Sequence, residues 1–202
     1  MRLDWRHRLV AAVVALGAGR AAQAQTLRDS EARQGFSVSF GAGANAIGAW
    51  DQGERDSTAA GLAYTLRFGE MLTDHWGLGL AIEGGSAAHA GVTTQIAGLT
   101  MEAQARLWRH LAAHAGVGVG AASAKDPLRV GDETHGTYGS LLTAGLSYDA
   151  FVTRRPSGGW AVTPAVGVRA VPGGDVSALA AVLTVGISWW SGLPTRELRT
   201  NP

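Results

Sequence analysis

Residues 179–189 read LAAVLTVGISW, with a large apolar side chain at almost every second position. The bulky side of this stretch carries Leu179, Ala181, Leu183, Val185, Ile187 and Trp189, and the other side carries Ala180, Thr184, Gly186 and Ser188. A repeat of two residues is typical of a β-strand, in which successive side chains point to opposite faces. The stretch therefore predicts a strand with one apolar face and one face of small and polar residues.

Seven further segments between Gly35 and Arg169 show the same alternation. Their bulky faces run over Phe36–Ala44, Leu62–Phe68, Trp76–Ile82, Ala97–Leu107, Leu111–Val119, Tyr138–Tyr148 and Trp160–Val168. Each segment is about ten residues long, which is the length that a tilted strand needs to cross the hydrocarbon of a membrane. We predict an all-β fold, an eight-stranded antiparallel up-and-down transmembrane β-barrel.

The position of the charged residues indicates which face points outward. They lie on the face that carries glycine, alanine and serine, and side chains nearly fill the narrow interior of an eight-stranded barrel. The bulky face must therefore point outward, and a water-soluble barrel of the lipocalin type does not tolerate such a belt. We expect a polar network in the interior, made of Arg67, Glu83, Glu102, Arg106, His114, Asp149 and Arg169.

This interior set contains equal numbers of arginines and carboxylates. Paired charges are tolerable in a narrow core, where isolated charges are costly. We expect a closed polar interior without a constitutive pore. A narrow or gated ion path is the alternative.

The N-terminus has the features of a signal peptide. Arg2, Arg6 and Arg8 precede the apolar run Leu9–Ala18, and Ala22–Ala24 supplies a small-x-small cleavage signal. The apolar run is too short to span a bilayer. We predict a cleaved signal peptide at 1–24, a periplasmic segment at 25–34, an outer-membrane barrel at 35–190 and a short periplasmic tail at 191–202.

Composition excludes several classes of protein. The chain of 202 residues has no cysteine, so disulfides, thiol catalysis and cysteine-ligated metals are excluded. Its mean hydropathy of +0.06 is too low for a bundle of membrane-spanning helices. The net charge is only +1, and the basic residues do not cluster on one face. We therefore expect no binding to nucleic acid. We also expect no cofactor and no metal site, since the acidic residues Asp51, Glu54 and Asp56 lack the spacing of a calcium loop.

Aromatic residues gather at the strand ends that we predict to be periplasmic. They are Phe36, Phe68, Trp76, Trp108, Tyr148, Phe151, Trp160, Trp189 and Trp190. Rings of this kind form girdles at the membrane interface. We expect Trp76, Trp108, Trp160 and Trp189 to be the main members of an interface girdle.

Proline 164 lies in the middle of the seventh predicted strand. It has no N–H to donate to the ladder, and a partner carbonyl in lipid would remain without a donor. The sequence predicts a local irregularity at this position.

From Gly35 to Trp190 the chain resembles the small eight-stranded outer-membrane proteins of the OmpA and OmpX type. Thr184, Gly186 and Trp189 are similar to the terminal assembly signal of such barrels, although Ser191 stands where the family prefers a second aromatic residue. The resemblance implies recognition by the barrel-assembly machinery. The tail is too short for the peptidoglycan-binding domain of OmpA, so tethering to the cell wall is not implied.

We expect an integral outer-membrane protein with a structural or surface-interaction role. Its partners are expected to be outer-membrane lipid and lipopolysaccharide, and we expect a monomer. Extracellular loops, of which 48–57 and 124–136 are predicted to be the longest, would form the interaction surface.

Two other functions stay open, a lipid A-modifying enzyme and a narrow-pore or hydrophobic-solute transporter. Lipid A deacylases carry a His-x-Ser motif, and the nearest approach here is His135-Gly136-Thr137, preceded by Asp132 and Glu133. Polar residues in a solvated loop explain this stretch equally well, so we assign no catalytic residue and expect no enzymatic activity. Passage of a hydrophobic solute would need a lateral opening or an apolar channel, which the sequence does not display.

Overall fold

The computed structural model describes residues 35–51, 54–73, 75–89, 92–125, 135–153, 158–173 and 176–192. The predicted signal peptide, the segment 25–34 and the tail beyond residue 192 lie outside these ranges. Within them the backbone forms the strands β1 (Gly35–Asp51), β2 (Glu54–Met71), β3 (Trp76–His89), β4 (Val92–Arg106), β5 (Leu111–Lys125), β6 (His135–Tyr148), β7 (Ala150–Phe151), β8 (Gly159–Val171) and β9 (Val176–Trp190). No helix in the described ranges is long and apolar enough to cross a membrane.

The strands close into a barrel. Their order is β6-β5-β4-β3-β2-β1-β9-β8-β7, and a further pairing of β6 with β8 joins the two edges of the sheet. The short β7 continues β6, because the pairs Ser147–Ala165 and Ala150–Val162 keep one register along β8. All pairings are antiparallel, so the described strands form eight antiparallel barrel strands, and the predicted fold class is confirmed.

The bulky apolar side chains face outward and the charged side chains face the interior, as predicted. Leu80, Val117, Leu146 and Ile187 are 46, 59, 40 and 57% exposed on the outer wall, whereas Glu83 inside the barrel is 2% exposed. Large apolar side chains therefore form a continuous belt around the barrel. An exposed apolar surface of this extent is unstable in water and suits lipid.

The barrel has two distinct ends. We call the end at which β1 begins at Gly35 and β9 ends at Trp190 the terminal end, and we call the opposite end the loop end. The terminal end also holds the turns after β2, β4 and β7, and the loop end holds the connections after β1, β3, β5 and β8.

At the loop end the strands are longer than the sequence pattern indicated. The predicted loop 48–57 is mostly strand, since β1 and β2 contain 17 and 18 residues and pair up to Asp51–Glu54, with a register shift between Ala49 and Trp50. His135-Gly136-Thr137, predicted in a loop, begins β6. Both predictions were wrong because apolar alternation fades above the lipid belt, while backbone pairing continues without it.

The irregularity predicted at Pro164 is present as an interruption of the ladder. Pairing of β8 with the preceding strand stops at Ser147–Ala165 and resumes at Ala150–Val162, whereas pairing with β9 continues through Pro164–Val185. The gap is bridged by a side chain, because the Thr163 hydroxyl donates to Asp149 Oδ1 at 2.7 Å.

The first and last strands are joined beyond the end of β9. The Phe36 amide donates to Ser191 Oγ at 2.8 Å, and the Ser191 amide donates to the Phe36 carbonyl at 2.8 Å. Gly158 has a φ of 97° and packs so closely on the Trp190 carbonyl that a Cβ atom would overlap it. These bonds of Ser191 extend the pairing of β1 with β9 by one residue beyond Trp190.

Candidate functional site

Four charged side chains form a chain of ion pairs across the barrel interior. Arg67 Nη2 lies 2.8 Å from Glu83 Oε1, and Arg67 Nε lies 2.9 Å from Glu102 Oε2. Arg169 Nε lies 3.1 Å from Glu83 Oε2, so Glu83 contacts both arginines. We call these four residues the ionic cluster. Its formal charges cancel, which is the arrangement that a narrow interior tolerates.

The cluster links strands that are not neighbours in the sheet. Arg67, Glu83 and Glu102 lie on β2, β3 and β4, and Arg169 reaches them from β8 on the far wall. The Arg169 guanidinium also donates to the carbonyls of Gly84 at 2.7 Å and Tyr64 at 3.0 Å. Five donors in a planar fork allow one arginine to bind several acceptors at once. Arg169 therefore fastens β8 to β2 and β3 through the interior.

His114 contacts the cluster from β5. Its Nε2 lies 3.2 Å from Arg67 Nη2, and a guanidinium can only donate. Nε2 is therefore placed to accept a hydrogen bond from the Arg67 guanidinium. The Thr65 hydroxyl donates to Glu83 Oε1 at 3.2 Å from the β2 side.

The two remaining members of the predicted network lie closer to the terminal end. Asp149 is buried after β6, and its carboxylate accepts the Thr163 hydroxyl, which is also 2.7 Å from Ser188 Oγ. Arg106 is the last residue of β4 and is half-buried. The structure therefore brings together Arg67, Glu83, Glu102, His114 and Arg169. Asp149 and Arg106 lie in a separate layer, closer to the terminal end.

Two small cavities adjoin the cluster. The larger, of about 50 Å³, extends from Arg67, Glu102 and His114 to the terminal end. Its other polar lining residues are Ser37, Ser39, Gln104, Ser147, Asp149, Thr163, Ser188 and Trp190. The smaller, of about 20 Å³, lies between Arg67, Glu83 and Arg169. Sites for organic ligands measure roughly 300–1,000 Å³, so these spaces suit a few water molecules instead.

Sequence reasoning missed an apolar layer at the loop end of the interior. Its large members are Ile47, Ile96, Leu141 and Val171, and alanines fill the space between them at Ala59, Ala87, Ala122, Ala178 and Ala180. We call this set the apolar plug. Except for Ala180, which lies on the inner face of the last predicted strand, its members lie outside the predicted strands or, in the case of Leu141, next to an outward leucine. They would have been found if the alternation of inward-facing residues on each predicted strand had been continued by two or more residues toward the loop end.

The predicted girdle residues lie at the terminal end. Trp76, Trp108 and Trp160 are exposed on the outer surface, and the half-buried Trp189 pairs with Trp160 across β8 and β9. Trp190 is an exception to the girdle prediction, because it is 4% exposed and lines the larger cavity. Adjacent residues of a strand point to opposite faces, so Trp189 and Trp190 cannot both face lipid.

The structure describes some of the residues that the sequence suggested for barrel assembly or for catalysis. Thr184 and Gly186 lie on the inner face of β9, where Thr184 is buried. Asp132 and Glu133 lie outside the described residues. Across the described part of the chain, no group of three or more histidine and acidic residues is arranged to hold a metal ion.

Comparisons with known proteins concern the fold. No protein-family model matches the sequence, and no curated protein matches it either. Among solved structures, that of Ail, the attachment invasion locus protein of Yersinia pestis, is 15% identical, with a TM-score of 0.54 over 77% of this chain and 98% of that chain. The same Yersinia protein in complex with the heparin analogue sucrose octasulfate gives a TM-score of 0.50, at 15% identity over 77% of this chain and 98% of that one.

A Neisserial surface protein, NspA, is 14% identical over 77% of this chain and 97% of its own, with a TM-score of 0.49. The Yersinia structure and the closed barrel described above confirm the predicted architecture, that of small eight-stranded outer-membrane barrels of the OmpA and OmpX type.

Proposed function

We propose that this chain is an integral outer-membrane protein with a structural or surface-interaction role. One observation carries the proposal: large apolar side chains cover the outside of the barrel, while the ionic cluster lies within it. This distribution is the reverse of that in a water-soluble protein, whose charges face the solvent. In bacteria, closed barrels with this distribution are typical of the outer membrane.

Export and orientation follow from the sequence. A signal peptide at 1–24 would deliver the chain to the periplasm, and the barrel-assembly machinery would recognise Thr184, Gly186 and Trp189 on the last strand. The terminal end would then face the periplasm, with its tryptophans at the interface. The loop end would face the exterior, in contact with lipopolysaccharide.

The interior supports a role at the surface more than one in transport. Its cavities of about 50 and 20 Å³ are small, and the apolar plug fills the interior at the loop end. Partners would therefore meet the barrel at its loop end, where β1 and β2 extend beyond the belt. The barrel itself would act as a rigid scaffold, and we expect it to be monomeric.

Expression in a Gram-negative host tests this proposal. We expect the mature chain to begin at Gln25, to fractionate with the outer membrane, and to migrate differently on gels when boiled and unboiled. The matched control is Ala24→Arg, which removes the small residue that signal peptidase needs and should leave an uncleaved precursor. A soluble product with identical migration in both states would contradict the proposal. Lipid A of unchanged mass in cells with and without the gene would remove the enzyme alternative.

A further inference from the structure

The inward-facing residues change in character along the barrel axis. On β1 they run from Ser37 and Ser39 at the terminal end to Ile47 at the loop end. On β6 and the residue after it, they run from Asp149 to Leu141. The members of the ionic cluster lie between these extremes, so polar and apolar layers are separated along the axis.

The apolar layer is tightly packed. Ile47, Ile96, Leu141 and Val171 are each at most 1% exposed. Leu141 lies over Gly98 and Gly120, so closely that a Cβ atom on either glycine would contact its side chain. These glycines provide the space that lets one leucine reach across two neighbouring strands. An apolar layer without gaps stays dry, because water there would find no hydrogen-bond partners.

Both cavities lie on the terminal side of this layer. The larger one connects Arg67 and Glu102 with Ser37 and Trp190 at the terminal end. Neither of the two cavities has Ile47, Ile96, Leu141 or Val171 in its lining. Water can therefore approach the ionic cluster from the terminal end, and the apolar plug separates the cluster from the loop end.

We propose that the apolar plug alone seals this barrel, and that a hydrated vestibule leads from the terminal end up to the buried ionic cluster. An ion at the cluster meets charged and polar groups, whereas an ion at the plug would lose its water and gain no partner. Apolar constrictions stop conduction by this dewetting mechanism. The inference rests on the proposed insertion of the barrel in a membrane.

Conductance across planar bilayers separates the plug from the cluster. We expect the native barrel to be silent and the variant Ile47→Ala/Ile96→Ala/Leu141→Ala to conduct, with open-channel current on the order of tenfold above background. The matched control Arg67→Gln/Glu102→Gln removes an ion pair, leaves the plug intact and should stay silent. A control that conducts, or a folded plug variant that stays silent, would overturn the proposal.

Thiol labelling tests the same inference in barrels that keep the plug. The chain contains no cysteine, so single substitutions report one position at a time. Ser39→Cys and Gln104→Cys, in the vestibule, should react with a small charged methanethiosulfonate at least about tenfold faster than Ala87→Cys and Ala122→Cys in the plug, since reaction needs an accessible thiolate.

Similar labelling rates at all four positions would overturn the plug as the seal, even if the triple-alanine variant failed to fold. Heat-modifiable gel mobility is recorded for every variant and for the native chain. A native chain that neither shows this shift nor enters bilayers would contradict the proposed function itself, which distinguishes the two failures.

Discussion

Glu83→Gln will destabilise the folded barrel by about 3–5 kcal/mol, the usual cost of removing one partner of a buried ion pair. Glu83 is 2% exposed and contacts both arginines of the ionic cluster, at 2.8 and 3.1 Å. The amide keeps the size of the side chain and removes its charge. Arg169, which is 4% exposed, then loses the carboxylate with which it is ion-paired, and Arg67 keeps its ion pair with Glu102.

The measurement is urea-induced unfolding of the barrel refolded in phospholipid vesicles, followed by tryptophan fluorescence. Glu70→Gln is the matched control, because Glu70 is exposed on the outer face of β2 near the terminal end, and its loss should change the unfolding free energy by less than about 0.5 kcal/mol. The double variant Glu83→Gln/Arg169→Met should recover part of the lost stability by removing the uncompensated charge. Equal effects of Glu83→Gln and Glu70→Gln would show that the cluster does not stabilise the fold.

The second large effect is expected on the outer wall. Val117→Arg places a charge in the middle of the apolar belt, at a side chain that is 59% exposed on β5. In a bilayer this substitution should cost about 2–4 kcal/mol, because the guanidinium would lie near the centre of the hydrocarbon.

The control for this substitution is Gln95→Arg on the adjacent strand β4. Gln95 is exposed on the outer face, beyond the loop-side edge of the belt, where an arginine should cost at most about 1 kcal/mol. The two variants are compared by unfolding from the same vesicles. An equal cost at both positions would mean that Val117 does not lie deeper in lipid than Gln95.

The orientation of the pleat could be predicted from the sequence for a physical reason. A strand repeat of two leaves only two choices of face, and the narrow interior cannot hold bulky residues from every strand. Arg67 and Glu102 could therefore be placed inside, and Leu80 and Ile187 outside. All four lie where this reasoning puts them.

The apolar plug and the partners of the ionic cluster could not be predicted in the same way. Alternation along β6 places Leu142 on the outer face and Leu141 on the inner face, but it does not show that Leu141 meets Ile47, Ile96 and Val171 in one apolar layer. The contact of Arg169 with Glu83 joins β8 to β3 across the interior, at a separation of 86 positions along the chain. Such a contact depends on how the closed barrel staggers its strands, which the local pattern does not contain.

Site-directed spin labelling in phospholipid bilayers measures most directly which face of the strands meets hydrocarbon. Labels on cysteines introduced singly at Leu80, Val117, Leu146 and Ile187 should collide often with dissolved oxygen and rarely with a water-soluble nickel chelate. Labels at Ser39 and Gln104 should show the lower oxygen collision rates of a confined aqueous site. If the first four positions instead were shielded from oxygen, while labels at Ser39 and Gln104 were open to it, the barrel would be inside out and the assignment of its two faces would be wrong.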